Sequence, residues 1–340
     1  MTELSSLVQP VIITFNRSGK LYSTLQAFLP LCRDGLILHV LDNASVDDTR
    51  DVVVTFQKLT ENIRYRKNPI NIGGNANIVR SIELSDSVYH WIVGDDDVWN
   101  FERVDELWQV VRQQRADIIR LGWLVGSSSR GKLLPLEEIS RKEALFYPSC
   151  SMISATVIRR QLAREFVRES YANVGNFMPQ LVPILKAASA HKKITVYSLE
   201  SDLITHIPGE EAGIFVGDFN WVATWMRSTL CIDSPTERKR FVKSIWNYQG
   251  RRSPGLLGWV KYGLNVAFYS KSFKISQKRY FGEMWVYGEG VRAFTAFLWM
   301  VYLFTPRWAA WLAYKSYYRI FFGKVITKQE VAPRISSVRL

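Results

Sequence analysis

The sequence contains little cysteine. Its 340 residues include three cysteines, Cys32, Cys150 and Cys231. These are too few and too widely separated to form a disulfide framework, and no CxxC pair indicates a zinc site. The composition therefore fits a protein that folds in a reducing compartment without covalent cross-links.

Two common phosphate-binding signatures and long apolar runs are also missing. The chain contains neither GxGxxG nor GxxxxGK[ST], which weakens a dinucleotide-binding or P-loop interpretation. The uncharged stretch from Ala293 to Thr305 is followed by Pro306-Arg307 and is shorter than the roughly 20 residues that a spanning helix needs. We expect a helix pair lying in a membrane interface, with a buried helical subdomain as the alternative.

Acidic residues are scarce in the last third of the chain. Residues 234–340 hold 19 Lys and Arg against four Asp and Glu, whereas residues 1–233 are almost neutral. The basic residues alternate with Trp and Tyr, a pattern that suits an anionic lipid surface or a nucleic acid, since both present dense phosphate. The uncharged stretch beside them favours the membrane.

Short β-branched runs alternate with helical patterns over the first hundred residues. The predicted helices lie near 18–31, 47–59 and 75–85, between strands at Val11–Phe15, Leu36–Leu41, Ile63–Arg66 and Tyr89–Val93. This order predicts an α/β fold with a mainly parallel, Rossmann-like sheet flanked by helices. Ligands of such sheets bind beyond the carboxyl ends of the strands. Residues 151–200 read as helix, helix and strand.

Three adjacent carboxylates, Asp95, Asp96 and Asp97, follow the fourth predicted strand and Gly94. They repel one another unless a cation lies among them, and hard oxygen ligands suit Mg²⁺ or Mn²⁺. The alternative is that they cap a helix beginning near Phe101, although a cap needs only one carboxylate.

Two polar segments follow the second and third predicted strands. In LDNASVDDT, Asp42 ends a strand, where its carboxylate can accept hydrogen bonds from a base or a ribose, and Ser45 and Asp48 are spaced as a helix-capping pair. In NPINIGGNAN, two glycines precede a helix, so the backbone can approach a ligand and the helix N-terminus favours phosphate.

Taken in order, VIITFNR, LDNASVDDT with NPINIGGNAN, and WIVGDDD resemble the nucleotide-binding half of family-two glycosyltransferases with a GT-A fold. Within that family they are similar to bacterial O-antigen sugar transferases such as abequosyltransferases. The resemblance implies a GT-A domain over residues 1–233, with a donor half at 8–125 and an acceptor half at 126–233. A basic, mainly helical, membrane-associating region would follow at 234–340.

The resemblance also implies roles for individual residues. Asp96 and Asp97 would hold Mn²⁺ or Mg²⁺, with His206 as a further ligand, and Asp95 with Asp97 is the rival pairing. The donor-binding residues would be Thr14, Phe15, Asn16, Arg17, Asp42, Asn43, Asn71, Gly73, Gly74, Asn77 and Asp95.

The sequence departs from the family pattern on the acceptor side. Inverting members usually carry a Glu-Asp pair there, whereas the matching stretch, residues 175–180, contains no carboxylate. Either the base comes from elsewhere, with Glu210 and Glu211 as candidates, or the enzyme retains configuration and needs no such base. Ile78 also stands where the family often has Arg.

The activity that the resemblance implies is metal-dependent sugar transfer. The donor would be a UDP, CDP or dTDP sugar, and the acceptor a polyprenyl-diphosphate-linked saccharide of a surface polysaccharide at the cytoplasmic face of a bacterial inner membrane. A nucleotidyltransferase is one alternative, although Asn16 to Lys20 only faintly resembles its glycine-rich loop. A nucleic-acid-binding protein is another, and we expect no nucleic acid partner because that reading leaves the acidic triplet unexplained.

Overall fold

The chain divides into two compact units. One comprises Met1–Ile207 with Cys231–Glu237, and the other Pro208–Leu230 with Arg238–Leu340. The computed structural model describes residues 3–176, 178–205, 226–250, 264, 267–269, 271–272, 278–287, 292–323 and 325–327.

The described strands and helices alternate over the first half of the chain. The strands are β1 Val8–Thr14, β2 Leu38–Asp42, β3 Ile63–Lys67, β4 Tyr89–Gly94, β5 Val98–Trp99, β6 Ile118–Arg120, β7 Lys132–Pro135, β8 Thr156–Arg159, β9 Thr195–Ser198 and β10 Ile204–Thr205. The α-helices are α1 Glu3–Leu7, α2 Ser18–Arg33, α3 Thr49–Gln57, α4 Gly74–Leu84, α5 Val104–Gln113, α6 Leu136–Lys142, α7 Phe146–Ser151, α8 Arg160–Glu165, α9 Val167–Ala172, α10 Val182–Ser189, α11 Pro235–Gly250, α12 Lys278–Tyr287, α13 Arg292–Phe304 and α14 Arg307–Phe322.

Within the described residues, eight strands form one sheet in the order β3-β2-β1-β4-β8-β6-β9-β7. The first four are mutually parallel, which confirms the expected βαβ series. The prediction of helix, helix and strand over 151–200 was wrong in one respect, because β8 inserts antiparallel between β4 and β6. Its four residues are too few for periodicity to separate a buried strand from a helix.

The sheet brings the ends of three strands together. Thr14 of β1 pairs with Asp42 of β2, and Ile13 pairs with Gly94 of β4. All six residues of β4 are buried, as expected for a strand covered by helices on both faces. The polar segments that follow β1, β2 and β4 therefore share one edge.

An aromatic cluster anchors the chain directly after the acidic triplet. Trp99 of β5 packs against Trp91 with 5.3 Å between ring centroids and stacks on Phe101 at 5.4 Å. Phe28 of α2 contacts Trp99 at 5.2 Å. Such ring contacts contribute about 0.5–1.5 kcal/mol each beyond burial, so the exit from the acidic turn is firmly placed.

The second unit packs its helices around aromatic side chains. Phe281 of α12 contacts Trp299 of α13 with 4.7 Å between ring centroids, and Tyr269 contacts Tyr314 of α14 at 5.3 Å. Pro306 stands at the N-cap of α14 and separates it from α13, as the sequence predicted. Among the residues that the structure describes, every helix falls short of the length and apolar character that crossing a bilayer requires.

Candidate functional site

Asp95 ties the acidic turn to the first strand. Its side chain is buried and accepts a 2.6 Å hydrogen bond from Thr14 Oγ1, while Thr24 Oγ1 donates to its carbonyl oxygen at 3.0 Å. The pKa of Asp95 is raised, chiefly because burial penalises the charged form. The Thr14 hydrogen bond and the charge of Arg17 oppose that shift. Asp95 is thus a structural connection between β1 and β4.

Arg17 lies on the acidic cluster. Its Nη1 atom donates to Asp95 Oδ1 at 3.1 Å and to Asp96 Oδ2 at 2.8 Å, and Lys20 Nζ lies 3.6 Å from the same Asp96 oxygen. Burial acts to lower the pKa of Arg17, but the charges and hydrogen bonds of Asp95 and Asp96 outweigh it and raise the pKa. Arg17, which was predicted to bind the donor, therefore contacts the carboxylates of Asp95 and Asp96 in this structure.

Gly94 allows the last two carboxylates to approach the end of β4. A Cβ atom at this position would lie 2.9 Å from Asp97 Oδ2 and 3.5 Å from Asp96 Oδ1. Ser154, which precedes β8, donates to Asp97 Oδ2 and accepts a 2.7 Å hydrogen bond from the Gly94 amide. Asp96 and Asp97 thus bring hard oxygen ligands, the type that Mg²⁺ and Mn²⁺ prefer, close to the same residue.

Asp96 and Asp97 are the predicted metal ligands that lie within the described residues. No group of three or more His, Cys, Asp or Glu side chains within the described part of the chain is arranged to hold a metal ion. His206, the predicted additional ligand, lies outside the described residues, as do Glu210 and Glu211. Thr205, the residue before His206, pairs with Val98, the residue after Asp97.

The helix-capping alternative for the acidic triplet does not hold. Helix α5 begins at Val104, and its N-cap residue is Arg103, without a side-chain cap. Asp95, Asp96 and Asp97 therefore require a role other than capping.

Asp42 lies in a closed environment. Its carboxylate is fully buried, with Tyr65 donating to Oδ2 at 2.6 Å and the Ser45 amide donating to Oδ1 at 2.8 Å. Burial raises the pKa of Tyr65, and the hydrogen bond to Asp42 raises it further. A ligand that binds Asp42 must therefore share or replace the Tyr65 hydrogen bond.

The predicted capping pair of Ser45 and Asp48 is wrong. Asp48 occupies the N-cap of α3 but makes no side-chain cap, and Ser45 Oγ accepts from the Asn16 amide at 2.9 Å. Asp47 fulfils the capping role instead, because its carboxylate accepts from the amides of Thr49 at 3.2 Å and Ser18 at 2.9 Å. The sequence spacing correctly indicated a capped helix, but the capping carboxylate is that of Asp47 and not that of Asp48.

An amide network shapes the turn after β3. Asn43 donates to Asn71 Oδ1 at 2.7 Å and accepts from Asn68 at 2.9 Å, and Asn68 also donates to Asn77 Oδ1 at 2.8 Å. Gly73 follows with φ of 86°, a conformation that side chains rarely adopt. The structure thus brings together the turn residues predicted to bind the donor, with Gly74 as the first residue of α4.

The same turn contacts the acceptor half. Asn75 donates from Nδ2 to the carbonyl oxygens of Val174 and Asn176, both at 2.9 Å. The stretch without a carboxylate, residues 175–180, therefore begins beside α4. Phe15, another predicted donor residue, has an exposed side chain at the end of β1.

Sequence patterns did not identify several residues that build this site. They are Lys20, Thr24, Tyr65 and Ser154. These residues lie in a helix, in a strand or before β8, where no local pattern marks a binding role.

Comparison with known proteins identifies similar chains. Residues 11–163 match the model of the family Glycosyl transferase family 2. Abequosyltransferase RfbV of Salmonella typhimurium is 31% identical over 94 residues, which cover 27% of this chain and 28% of that protein.

Solved structures share the fold. S. aureus TarS 1-349 has 13% identity and a TM-score of 0.53, with 91% of each chain covered. The same protein in complex with UDP-GlcNAc has 12% identity and a TM-score of 0.53, covering 91% of this chain and 92% of that one. The expected GT-A-type α/β fold is thereby confirmed.

Proposed function

We propose, on the premise that residues 11–163 form a family-two glycosyltransferase domain, that the whole protein moves a sugar from a nucleoside-diphosphate sugar to a saccharide acceptor. The observation that carries this proposal is that the Asp96 and Asp97 carboxylates both approach Gly94, at 3.5 Å and 2.9 Å from where a Cβ atom would lie. These carboxylates lie at the sheet edge shared by the polar segments after β1 and β2. The 31% identity to the abequosyltransferase over 94 residues supports an O-antigen-type role as the first one to test.

Each part of the site has a role in this proposal. Asp96 and Asp97 hold Mg²⁺ or Mn²⁺, which supplies Lewis-acid stabilisation of the diphosphate leaving group. The turn from Asn71 to Asn77 closes over the nucleoside, and its amide network keeps it in one conformation. Thr14 fixes Asp95, so the acidic turn is ordered before the donor arrives.

The acceptor-side chemistry has two versions. In the first, Glu210 or Glu211 deprotonates the acceptor hydroxyl, and the anomeric configuration of the transferred sugar is inverted. In the second, no base is needed and configuration is retained. The anomeric configuration of the product distinguishes them.

The acceptor is proposed to be lipid-linked because the second unit exposes an apolar helical surface. Phe304 is 81% exposed and Trp308 is 70% exposed, on either side of Pro306. A helix of a soluble protein places polar residues on its outer face, so this surface needs an apolar partner. We call the exposed large apolar side chains of α13 and α14 the apolar surface. They are Phe297, Met300, Leu303, Phe304, Trp308, Leu312 and Ile320.

The charges beside the apolar surface select an anionic phospholipid bilayer as its partner. Arg292, Arg307, Lys315 and Arg319 lie on α13 and α14, and these two helices carry no Asp or Glu. Each basic residue near an anionic membrane contributes about 1 kcal/mol. We place the protein at the cytoplasmic face of a bacterial inner membrane, where bilayer binding raises the local concentration of a polyprenyl-diphosphate-linked acceptor.

Calorimetric titration with nucleotides tests the donor and metal assignments together. UDP, CDP, dTDP and GDP are each titrated with and without Mn²⁺ into wild type, Asp96→Asn and Asp97→Asn. Asp105→Asn, an exposed acid in the first turn of α5, is the charge-matched control. We expect Mn²⁺-dependent binding of one diphosphate, with UDP first because TarS was solved with it, and a loss of about tenfold or more in the two site variants.

The alternatives give different results. A nucleotidyltransferase would bind the corresponding nucleoside triphosphate, titrated in parallel, in preference to the diphosphate. The absence of binding by any nucleotide, or equal binding by the site variants and Asp105→Asn, would overturn the proposal.

A further inference from the structure

The guanidinium of Arg17 lies against the carboxylates of the acidic cluster and supplies a positive charge there. It lies within 3.1 Å of Asp95 and 2.8 Å of Asp96, so it neutralises part of the acidic cluster. A divalent ion held by Asp96 and Asp97 would share the Asp96 carboxylate with this guanidinium. Because like charges a few ångströms apart repel, both cannot keep their full contact with Asp96.

Asp95 and Asp96, the two partners of Arg17, differ in their other contacts. When Arg17 leaves, the Asp95 carboxylate keeps its hydrogen bond from Thr14, and Thr24 still holds the backbone carbonyl oxygen of Asp95. Asp96 is 40% exposed, and its described contacts are with Arg17 and Lys20. Loss of Arg17 therefore frees Asp96 for a metal ion while Thr14 and Thr24 keep Asp95 in place.

Arg17 itself can move. Its side chain is 48% exposed, and as the N-cap residue of α2 it makes no side-chain hydrogen bond to that helix. A guanidinium released from a carboxylate can instead donate two parallel hydrogen bonds to a phosphate. The diphosphate that a metal ion on Asp96 and Asp97 would bind supplies that partner at the same edge of the sheet.

We propose that Arg17 is a displaceable counter-ion: it neutralises Asp95 and Asp96 in the free protein and passes to the donor diphosphate when a divalent cation binds Asp96 and Asp97. This inference rests on the proposed function. It assigns Arg17 opposite effects on two ligands, since Arg17 opposes the metal ion alone and favours the nucleoside diphosphate in the presence of the metal ion.

Two titrations on the full chain test this inference. The first measures free Mn²⁺ by electron paramagnetic resonance without nucleotide, and the second measures UDP binding, or that of whichever diphosphate wild type prefers, at saturating Mn²⁺. Arg17→Gln removes the charge and Arg17→Lys keeps it. Lys58→Gln is the matched control, because Lys58 is exposed at the C-cap of α3 and makes no described contact with the acidic cluster.

For Arg17→Gln we expect about tenfold tighter Mn²⁺ binding without nucleotide and about tenfold weaker diphosphate binding with Mn²⁺. Arg17→Lys and Lys58→Gln should stay within about threefold of wild type in the first titration. Unchanged or weaker Mn²⁺ binding by Arg17→Gln, when wild type binds Mn²⁺, overturns the inference and leaves the proposed function standing. The absence of Mn²⁺ binding by all four proteins, with and without nucleotide, overturns both.

Discussion

Gly94 and Asp97 approach so closely that a Cβ atom on the glycine would lie 2.9 Å from Asp97 Oδ2. The backbone of Gly94 does not require glycine, because its φ is not positive. The reason for glycine is therefore the lack of space for a side chain beside the Asp97 carboxylate.

Substitution of Gly94 by alanine tests this close approach. The added methyl group displaces the flexible end of Asp97 while leaving the backbone in place, so the variant should fold. We expect Mn²⁺ affinity to fall by about tenfold, since one charged ligand is misplaced. Gly19→Ala, where a Cβ meets nothing within 4 Å, is the control and should bind Mn²⁺ as wild type does. Equal affinities for Gly94→Ala and Gly19→Ala would contradict this account.

A buried ion pair holds the segment after β6. Arg120 is fully buried and donates to Glu143 Oε2 at 2.8 Å, with its guanidinium 5.3 Å from the centre of the Phe146 ring. Ser129, in the loop before β7, donates to Glu143 Oε1. Removing one member leaves an uncompensated buried charge, so Glu143→Ala should lower the free energy of unfolding by about 3–5 kcal/mol.

Urea denaturation measures this loss. The control is Glu138→Ala, which removes an exposed carboxylate paired with Lys142 one helical turn away and should change the unfolding midpoint little. Similar midpoints for the two variants would show that the Arg120 contact does not stabilise the fold.

The lowered pKa values of two histidines predict that the free energy of unfolding falls in acid. Burial lowers the pKa of His90 to about 3, with smaller effects from His39 and Arg160. Burial also lowers the pKa of His39 to about 4, and Arg64 acts in the same direction. In the unfolded chain both titrate near 6.5, so as the pH falls from 7 to 5 the unfolded state gains protons that the folded state does not.

The histidine contribution is therefore complete above pH 6.5 and declines as the pH falls towards 4. By pH 5 the loss should reach about 1–2 kcal/mol for each histidine. The free energy of unfolding, measured by urea at pH 7, 6 and 5, gives the slope. His39→Gln should flatten it, since a glutamine can still meet Gln9. A slope unchanged by this substitution would rule out His39 as a cause.

Vesicle sedimentation tests the apolar surface. Wild type should pellet with vesicles containing phosphatidylglycerol and far less with pure phosphatidylcholine, because the adjacent charges are basic. The double substitution Phe304→Ser and Trp308→Ser should weaken binding by about tenfold or more, since two large side chains no longer enter the interface. Leu59→Ser, at a residue 48% exposed in the first unit, is the control. Undiminished binding by the double variant would contradict the assignment, and self-association of wild type lost in that variant would indicate a second copy instead.

The sequence was most informative where local pattern and burial coincide. The strands β1 to β4 are β-branched runs that end in polar residues, and their parallel order follows from the helices between them. β7 and β8 were missed because each runs directly into a helix, α6 or α8, without turn residues between strand and helix that would mark its end. β8 is identified only by its neighbours β4 and β6.

The candidate site was predictable as an edge but not as a set of contacts. The acidic triplet and the asparagine turn were visible because they follow strands. The contacts of Arg17 could not be predicted, because the partner of a long charged side chain depends on which charges the tertiary structure brings near it. Ser154 contacts Asp97 across 57 positions in the chain, a separation that no local motif encodes.

Turnover of a sugar donor tests the central claim most directly. Nucleoside diphosphate released from UDP, CDP and dTDP sugars is measured with Mn²⁺ or Mg²⁺ and a lipid-linked saccharide extracted from bacterial membranes. The account predicts release from one donor class, its loss on chelation of the metal ion, a fall of about 100-fold or more in Asp97→Asn, and activity close to wild type in Asp105→Asn. Release that is equal in Asp97→Asn and wild type, or no release from any donor with either metal ion, would contradict it.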